Sequence, residues 1–358
     1  MEHYSRTRII AAPCDGPGTA APTRAVVIWM LALPMPLNSP LRVAILMPVY
    51  NDWAAASEIV SRIDKTIGSG ALDILMVDDG STQRWEDQDF QGHYGAIQRI
   101  NILRLRRNVG HQRAIALGLV QIYRTLQCDA VLIMDADGED TAEGAAELLR
   151  GFVKDDGRMA IFAERSRRSE SAIFQIFYWL YKVLHRLLTG IGVRVGNFSV
   201  VPFGYLETLV VLSELWNHYA AAVFRSRMPF RMIPIPRGTR IAGKSSMNFV
   251  SLVTHGLSAI SVFSDIVGVR LLIGACGCGV VALLAIAMIA CVRFFTDAAI
   301  PGWATVATGM IAIILIQIIS IATGFTFFML STRTGVGFIP LRDASLFVAE
   351  LVEIRSHG

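Results

Sequence analysis

Charged residues are scarce in this sequence of 358 residues, at 17% against about 25% in ordinary soluble domains. Apolar residues account for 53%, which excludes a disordered chain because disorder requires low hydrophobicity. The formal net charge is only +4, too small to indicate nucleic-acid binding, and no nucleic-acid partner is expected. The composition therefore predicts a soluble part joined to a membrane part.

Cysteines are few as well. The five cysteines are an odd number, in a chain too long to need a disulfide framework. Cys276, Cys278 and Cys291 lie in an apolar run, and no cluster of His or Cys accompanies them as a metal site would require. These three are therefore expected to be reduced thiols that fill a helix.

Two long runs without charge indicate where the chain meets the membrane. As a helix, residues 271–292 would span roughly 33 Å at about 1.5 Å per residue, enough for the hydrocarbon core. Residues 303–330 form the second run, and the short link between them predicts a transmembrane hairpin over 269–332. The alternative is a pair of buried helices in a soluble domain, which two charge-free runs of this length disfavour.

Arginines flank the hairpin on one side. Arg270, Arg333 and Arg342 lie at its outer ends, whereas Arg293 in the link is offset by Asp297. By the positive-inside rule, the outer ends face the cytosol. We therefore expect an integral protein of the inner or plasma membrane with both termini cytosolic, including a C-terminal tail at 333–358.

The first 40 residues carry a weaker signal. Residues 25–37 are apolar but short, and Pro34 and Pro36 interrupt them. A signal-peptide core is one interpretation. We instead expect an irregular extension over 1–40, because the chemistry below requires cytosolic nucleotide.

Residues 41–245 alternate short apolar runs with segments of helical spacing. Buried strands are predicted at 43–49, 72–77, 100–105, 130–134 and 159–163, and helices at 54–67, 114–126 and 141–153. Such alternation is typical of an α/β fold with a mostly parallel, Rossmann-like sheet. Ligands of these sheets bind at the carboxyl ends of the strands.

Two further segments have amphipathic helical spacing. Residues 171–188 combine one apolar face with many aromatic residues, which suits either the membrane interface or packing against the sheet. Residues 251–267 repeat the pattern and predict a juxtamembrane helix within 246–268.

Carboxylates follow two of the predicted strands. Asp135 and Asp137 can reach one point at the sheet edge, where a cation would offset their repulsion, and hard oxygen ligands suit Mg²⁺ or Mn²⁺. Asp78 and Asp79 could accept hydrogen bonds from a base or ribose. Each pair also has a purely structural interpretation. Asp135 could cap the following turn, and the sequence Asp79-Gly80-Ser81 is typical of turns.

Taken together, the motifs resemble the family 2 glycosyltransferases of the GT-A fold. Those motifs are Pro48-Val-Tyr50-Asn51, Asp78-Asp79-Gly80-Ser81, Arg107-Asn108-Val-Gly110 and Asp135-Ala-Asp137. The later motifs look like the polyprenyl-phosphate branch, which includes dolichol-phosphate mannose synthases and bactoprenol glucosyltransferases. They are Arg165-Ser-Arg167-Arg168, Gly196-Asn197-Phe198 and Arg237-Gly-Thr-Arg240-Ile-Ala-Gly243, followed by two membrane helices.

The resemblance implies a role for each matching residue. Pro48, Tyr50, Asn51, Asp78 and Asp79 would bind the nucleotide, and Asp135 and Asp137 would hold the metal, with Glu139 as a third ligand. Arg165 and Arg168 would face sugar or phosphate, and Arg237 and Arg240 would receive the lipid phosphate, which suits the planar guanidinium fork.

The sequence departs from the family pattern at three places. Asn197 stands where many relatives have Asp, Ser246 where many have Lys, and Glu139 where Gln is common. Asn197 cannot act as a base. A lipid phosphate is already anionic, however, so catalysis would depend mainly on the metal and on positioning.

The resemblance, together with the membrane pattern, implies a metal-dependent, inverting enzyme of the cytosolic membrane face. It would transfer one sugar from a UDP- or GDP-linked donor to a polyprenyl phosphate. Assembly into a homo-oligomer is compatible with the sequence. One alternative is a family 2 enzyme with another lipid or glycan acceptor, although the sequence lacks the Q-x-x-R-W motif of processive relatives. The other is a non-catalytic scaffold that binds nucleotide sugar or lipid phosphate.

Overall fold

One mixed sheet forms the centre of the soluble part. The computed structural model describes residues 41–68, 70–165, 172–190, 195–241, 249–296, 302–334 and 337–356. The strands are β1 Arg42–Val49, β2 Ala71–Asp78, β3 Ile97–Leu105, β4 Ala130–Ile133, β5 Ala160–Arg165, β6 Val195–Pro202, β7 Phe230–Ile235 and β8 Val348–Ser356. Their order across the sheet is β7-β5-β6-β4-β1-β2-β3-β8. Strands β3, β2, β1 and β4 run parallel, which confirms the expected α/β fold.

Helices cover both faces of this sheet. They are α1 Trp53–Ile67, α2 His111–Thr125, α3 Ala142–Lys154, α4 Ala172–Thr189, α5 Leu206–Leu209, α6 Tyr219–Arg225, α7 Phe249–Ser261, α8 Ser264–Phe295, α9 Trp303–Thr334 and α10 Pro340–Asp343. Alternate residues of β1 enter different cores: Ile45 packs with α1 and α3, whereas Leu46 packs with α2 and α6. Burial on both faces explains why the strand sequences are continuously apolar.

The structure differs from the sequence-based expectation in the C-terminal segment. Residues 333–358 were expected to be a tail, but β8 pairs antiparallel with β3 and closes that edge of the sheet. Val352 and Ile354 are half-buried, and Glu353 between them is exposed, so the strand has the alternation of a one-sided edge. Antiparallel β6 also lies between β4 and β5, which the mostly parallel prediction did not include.

Helix α4 lies against α7 and α8 and leaves apolar side chains exposed. Trp179 and Leu187 are 63% and 69% exposed. Arg270 of α8 donates to the Leu187 carbonyl oxygen over 2.8 Å, which fixes the carboxyl end of α4 beside the hairpin. The contacts and exposure of α4 favour the membrane-interface interpretation over packing against the sheet.

The predicted juxtamembrane helix is two elements. Helix α7 ends at Ser261, and α8 begins at Ser264 and continues into the charge-free run. Asp265 in the first turn of α8 accepts two hydrogen bonds, of 2.9 and 2.8 Å, from Arg225 of α6. This ion pair joins the start of the hairpin to the sheet domain. Residues 242–248 lie outside the described part of the chain.

Helices α8 and α9 pack against each other and are long and apolar enough to cross a membrane. Ser264–Phe295 and Trp303–Phe328 have mean hydropathies of 2.6 and 2.3. Only 11% and 6% of their most apolar windows are buried, unlike the core helices of a soluble domain.

One buried carboxylate anchors the chain that leads into β3. Asp64 of α1 is 8% exposed and accepts hydrogen bonds from the backbone N–H groups of Gly95, Ala96 and Ile97. We expect Asp64→Ala to lower the free energy of unfolding by about 3 kcal/mol, because buried N–H donors lose their acceptor. Urea unfolding in detergent, followed by tryptophan fluorescence, measures the change.

The matched control is Glu58→Ala on the same helix. Glu58 forms an exposed ion pair with Arg62, which is worth about 0.5 kcal/mol or less. Equal destabilisation by both substitutions would contradict the role given to Asp64.

Candidate active site

The carboxyl ends of three neighbouring strands meet at one edge of the sheet. Strands β2, β1 and β4 are adjacent and parallel, and Val49 at the end of β1 lies beside Asp78 at the end of β2. The segments that follow carry Asn51, Asp79 and Asp135 to the same edge. The chain therefore has the strand-end site that α/β sheets use for ligands.

Asn51 organises the loop after β2 through its side chain. Its backbone is left-handed, with φ 57°, and its Oδ1 accepts from the backbone N–H groups of Thr82 and Gln83. Tyr50 beside it is 48% exposed, and Pro48 is buried within β1. Of these three predicted nucleotide-binding residues, Tyr50 has the most accessible side chain, whereas Pro48 supports the loop from inside the sheet.

Asp78 and Asp79 are both buried, and their carboxylates accept hydrogen bonds from backbone N–H groups. Asp78 accepts from the Ser81 N–H over 2.8 Å. Asp79 accepts from the N–H groups of Val109 and Gly110 over 2.7 and 2.9 Å. Burial raises the pKa of Asp79 above its ordinary value, although these two backbone hydrogen bonds act against it. In this structure, Asp79 ties the loop after β2 to the start of α2.

Gly80 permits that close approach. Its φ is +71°, and a Cβ atom there would lie 2.5 Å from the backbone nitrogen of Asn108. Any other residue would push the two loops apart. The two motifs around Gly80 and Asn108 are therefore one structural unit.

The loop after β4 presents its carboxylates in an ordered turn. Asp137 Oδ1 accepts from the Glu139 N–H over 2.9 Å, and the Asp135 N–H donates to Asp140 over 2.9 Å. Asp140 is buried, whereas the Asp135 side chain is 23% exposed. Internal hydrogen bonds thus shape the turn, in which Asp137 is buried and Asp135 is half-buried.

Two arginines from the segment after β7 contact this turn. Arg240 donates to Asp137 Oδ2 over 2.6 Å and lies 3.8 Å from Asp52. Arg237 pairs with Glu139. Burial lowers the pKa of Arg237, against the opposing effect of Asp137 and Asp135.

Gly238 lies between these arginines and allows the contact. A Cβ atom at this position would meet the Gly138 carbonyl oxygen at 2.5 Å. The Gly238 N–H donates to the Glu139 carbonyl oxygen over 2.9 Å. The backbones of the arginine segment and the carboxylate turn are therefore held together, which keeps both guanidinium groups in the site.

A polar relay that the sequence motifs did not reveal borders the same turn. His111 Nε2 lies 3.2 Å from Asp135 Oδ1 and 3.0 Å from Asn197 Nδ2. Burial lowers the pKa of His111, but the charges of Asp135, Asp140 and Asp79 outweigh it and leave that pKa raised. His111 directly follows Gly110 of the Arg107-Asn108-Val-Gly110 motif, and that position is the signal that could have identified it.

The structure describes only some of the remaining predicted site residues. Arg165 ends β5 and lies in register beside Ile235, the last residue of β7. The strand end therefore carries Arg165 toward the segment that holds Arg237. Arg168 and residues 243–246 lie outside the described part of the chain.

The carboxylate turn suits a divalent metal that shares its ligands with a substrate. Among the described residues, no three His, Cys, Asp or Glu side chains form a metal-binding group. Mg²⁺ typically binds one or two protein carboxylates and completes its shell with phosphate oxygens and water. Asp135 and Asp137 supply that number, and Asp137 already contacts a cationic group in Arg240. Glu139 as a third ligand stays a prediction, since its carboxylate contacts Arg237 here.

Comparison with known proteins agrees with this reading of the fold. The sequence model of "Glycosyl transferase family 2" matches residues 44–209, which include β1 to β4 and the carboxylate turn. The "uncharacterized glycosyltransferase YkcC" of Bacillus subtilis is 23% identical over 73% of this chain and 80% of its own length. An undecaprenyl-phosphate 4-deoxy-4-formamido-L-arabinose transferase of Edwardsiella ictaluri is 24% identical over 63% of this chain and 72% of its length.

Solved structures resemble the chain more distantly. The glucosyl-3-phosphoglycerate synthase of Mycobacterium tuberculosis has 12% identity and a TM-score of 0.45, over 64% of this chain and 79% of that one. The family match over residues 44–209 and the glycosyltransferase relatives support a family 2 glycosyltransferase of the GT-A fold, with similarity to proteins of the polyprenyl-phosphate branch.

Proposed function

We propose that this enzyme transfers one sugar from a nucleotide sugar to a polyprenyl phosphate on the cytosolic face of the membrane. A phosphate oxygen of the lipid forms a bond to the anomeric carbon. The bond from that carbon to the diphosphate oxygen breaks, and the nucleoside diphosphate leaves. Attack from the side opposite the leaving group inverts the configuration.

One observation carries this proposal: Arg240 and Arg237 contact the carboxylate turn directly, so the carboxylates that we propose as metal ligands and two cationic groups share one site. The reaction brings an anionic acceptor close to an anionic leaving group. Cations on both sides are needed to offset that repulsion. A bound divalent ion would serve the diphosphate from Asp135 and Asp137, and the arginines would serve the acceptor phosphate.

The position of the membrane elements supports a lipid acceptor. The chain continues from Arg240 to α7, which begins at Phe249, and then to the apolar hairpin. Helix α4, with its exposed Trp179, lies beside the same elements. The relatives named as undecaprenyl-phosphate transferases act on an acceptor of this class, which supports the same assignment here.

A general base is not required for this reaction. The acceptor phosphate is ionised at neutral pH, unlike a sugar hydroxyl, so an amide at position 197 is compatible with activity. The protein then contributes to catalysis by aligning the two substrates and by neutralising the charges of the acceptor phosphate and the leaving diphosphate. Asn197 in place of the Asp of many relatives is consistent with that mechanism.

The test is a direct assay of the purified protein in detergent. It is incubated with undecaprenyl phosphate and a panel of UDP- and GDP-linked sugars, with Mn²⁺, with Mg²⁺ or with EDTA. We expect one glycosylated lipid phosphate by mass spectrometry, and none in EDTA. Product on a different lipid or glycan, with none on undecaprenyl phosphate, would replace the acceptor that we propose.

The orientation of the hairpin gives a separate prediction. With the native cysteines replaced, a cysteine at Thr296, the residue after α8, is expected to react in intact cells with an impermeant maleimide. A cysteine at Ser345, between α10 and β8, is expected to react only after permeabilisation. The flanking arginines are the reason, since they keep the outer ends in the cytosol. The opposite labelling pattern would place the site outside, away from cytosolic nucleotide sugars.

A further inference from the structure

A carboxamide lies near the middle of the second apolar helix. Gln317 belongs to α9, and the apolar span of that helix runs from Trp303 to Phe328. At about 1.5 Å per residue, Gln317 is roughly 21 Å along the axis from Trp303 and roughly 17 Å from Phe328. In a bilayer with a hydrocarbon core of about 30 Å, its amide therefore lies among the lipid tails, out of reach of the head groups.

Gln317 faces away from the helix that packs against α9. A Cβ atom at Gly279 of α8 would lie 3.6 Å from the Leu315 side chain, and Ala322, two turns beyond Leu315, is buried. These contacts mark the side of α9 toward α8. Because Gln317 is two residues past Leu315, it is turned by about 200° to the opposite side. It is exposed, and its amide group has no hydrogen-bond partner among the described residues.

An amide at this depth needs a partner that hydrocarbon cannot provide. A polar group without a hydrogen bond is unfavourable in lipid, because no water replaces the missing partner. The other large side chains of the same face suit lipid, since all are apolar and between 58% and 73% exposed: Met310, Ile313, Ile321 and Phe328. Gln317 interrupts this apolar face, and the hairpin alone does not satisfy it.

Two small residues beside Gln317 leave room for another helix. Ser320 and Gly324 lie one and two turns beyond it on the same face, and both are exposed. A Cβ atom at Gly324 would meet nothing within 4 Å in the described part of the chain. Packing inside the chain thus does not require a glycine there, although glycine weakens the interior of a helix. Small residues at such positions let two membrane helices approach closely.

We propose that the face of α9 formed by Gln317, Ser320 and Gly324 is the contact between two copies of this chain. Copies in one membrane have the same orientation, so their α9 helices run parallel and the two Gln317 side chains lie at the same depth. A carboxamide has both a donor and an acceptor. A twofold pair therefore satisfies both amides through reciprocal N–H···O hydrogen bonds, whereas a prenyl or acyl chain offers neither group.

Förster resonance energy transfer between full-length chains in liposomes tests this contact. The native cysteines are replaced, dyes are attached at Ser345→Cys, and the protein is reconstituted in phosphatidylcholine at a series of densities. We expect energy transfer that excess unlabelled chain abolishes. Gln317→Leu is expected to raise the dissociation constant about tenfold, the strength typical of hydrogen bonds between membrane helices. Gln317→Asn, which keeps the carboxamide, is expected to recover part of the affinity.

Thr326→Val is the matched control. Thr326 is a polar residue of the same helix, but it lies on the side toward α8 and donates to the Ala322 carbonyl oxygen over 2.8 Å. Its replacement is expected to leave association unchanged. Oxidative cross-linking gives a second measurement: Ser320→Cys is expected to form a disulfide-linked dimer, and Leu315→Cys, on the side toward α8, is not.

Three results would overturn the proposal. They are a wild type that stays monomeric at every density, equal dissociation constants for the wild type and Gln317→Leu, and equal weakening by Gln317→Leu and Thr326→Val. Association is measured here without sugar transfer, so each of these results leaves the proposed function intact.

Discussion

Replacing Asp137 with Asn is expected to lower the rate of glycolipid formation by on the order of a thousandfold. The Asn side-chain oxygen can still accept from the Glu139 N–H, so the turn keeps its shape. The negative charge is lost, however, and with it a ligand that would hold the metal on the leaving diphosphate. Metal ions contribute several kcal/mol of charge stabilisation in such reactions, and each 1.4 kcal/mol is about tenfold in rate.

Donor binding separates this role from a structural one. In Mn²⁺, Asp137→Asn is expected to bind the nucleotide sugar more weakly than the wild type, and in EDTA the two proteins are expected to bind it alike. Asp155→Asn is a matched control, since Asp155 pairs with Arg231 over 3.0 Å at the end of α3. It is expected to change the rate by about twofold or less, as removal of a partly exposed ion pair usually does. Equal donor affinity of Asp137→Asn and the wild type in Mn²⁺ would contradict the metal assignment.

The parts of the fold that sequence could predict are those with a local pattern. Strand β1 is a continuous apolar run because both of its faces are buried, and the same is true of β2 and β4. Each run ends in polar residues, so the site at the strand ends can also be predicted from the sequence. Strand β8 has no such run: it carries the exposed Glu350 and Glu353, and its partner β3 is far away in sequence. Long-range pairing of an edge strand leaves little local signal.

The same distinction holds within the active site. Asp135 and Asp137 share one loop, so their proximity follows from spacing alone. The contact of Arg240 with Asp137 joins residues 103 positions apart, and it exists because β7 lies beside β5 in the sheet. The relay through Gln112 and Asn197 spans 85 positions in the same way. Predicting it would require the sheet order and the identity of each side-chain amide atom.

Replacing Arg240 with Ala is expected to lower transfer to polyprenyl phosphate by roughly one hundredfold. The physical reason is the loss of a planar, charged donor that can bind the acceptor phosphate through two hydrogen bonds. The side chain is 24% exposed and contacts Asp137, so it lies inside the site and is not a solvated surface charge. Arg240→Lys is expected to restore only part of the rate, because a point charge lacks the bidentate geometry.

Donor binding is expected to respond differently. In the wild type, Arg240 and a metal ion would compete for the Asp137 carboxylate, whose Oδ2 lies 2.6 Å from the guanidinium group. Without the arginine, Asp137 is more available, so binding of Mn²⁺ and nucleotide sugar is expected to be unchanged or tighter. A fall in transfer together with intact donor binding would be the signature of an acceptor-binding residue.

The competing explanation is electrostatic attraction between Arg240 and anionic lipid, worth about 1 kcal/mol per basic residue. That explanation requires Lys to replace Arg240 fully and Ala to be mild. Assays in neutral detergent remove the anionic surface and separate the two accounts. Arg231→Ala is the matched control, since Arg231 on β7 pairs with Asp155 away from the carboxylate turn. If Arg240→Ala and Arg231→Ala have equal small effects in detergent, Arg240 does not bind the acceptor phosphate.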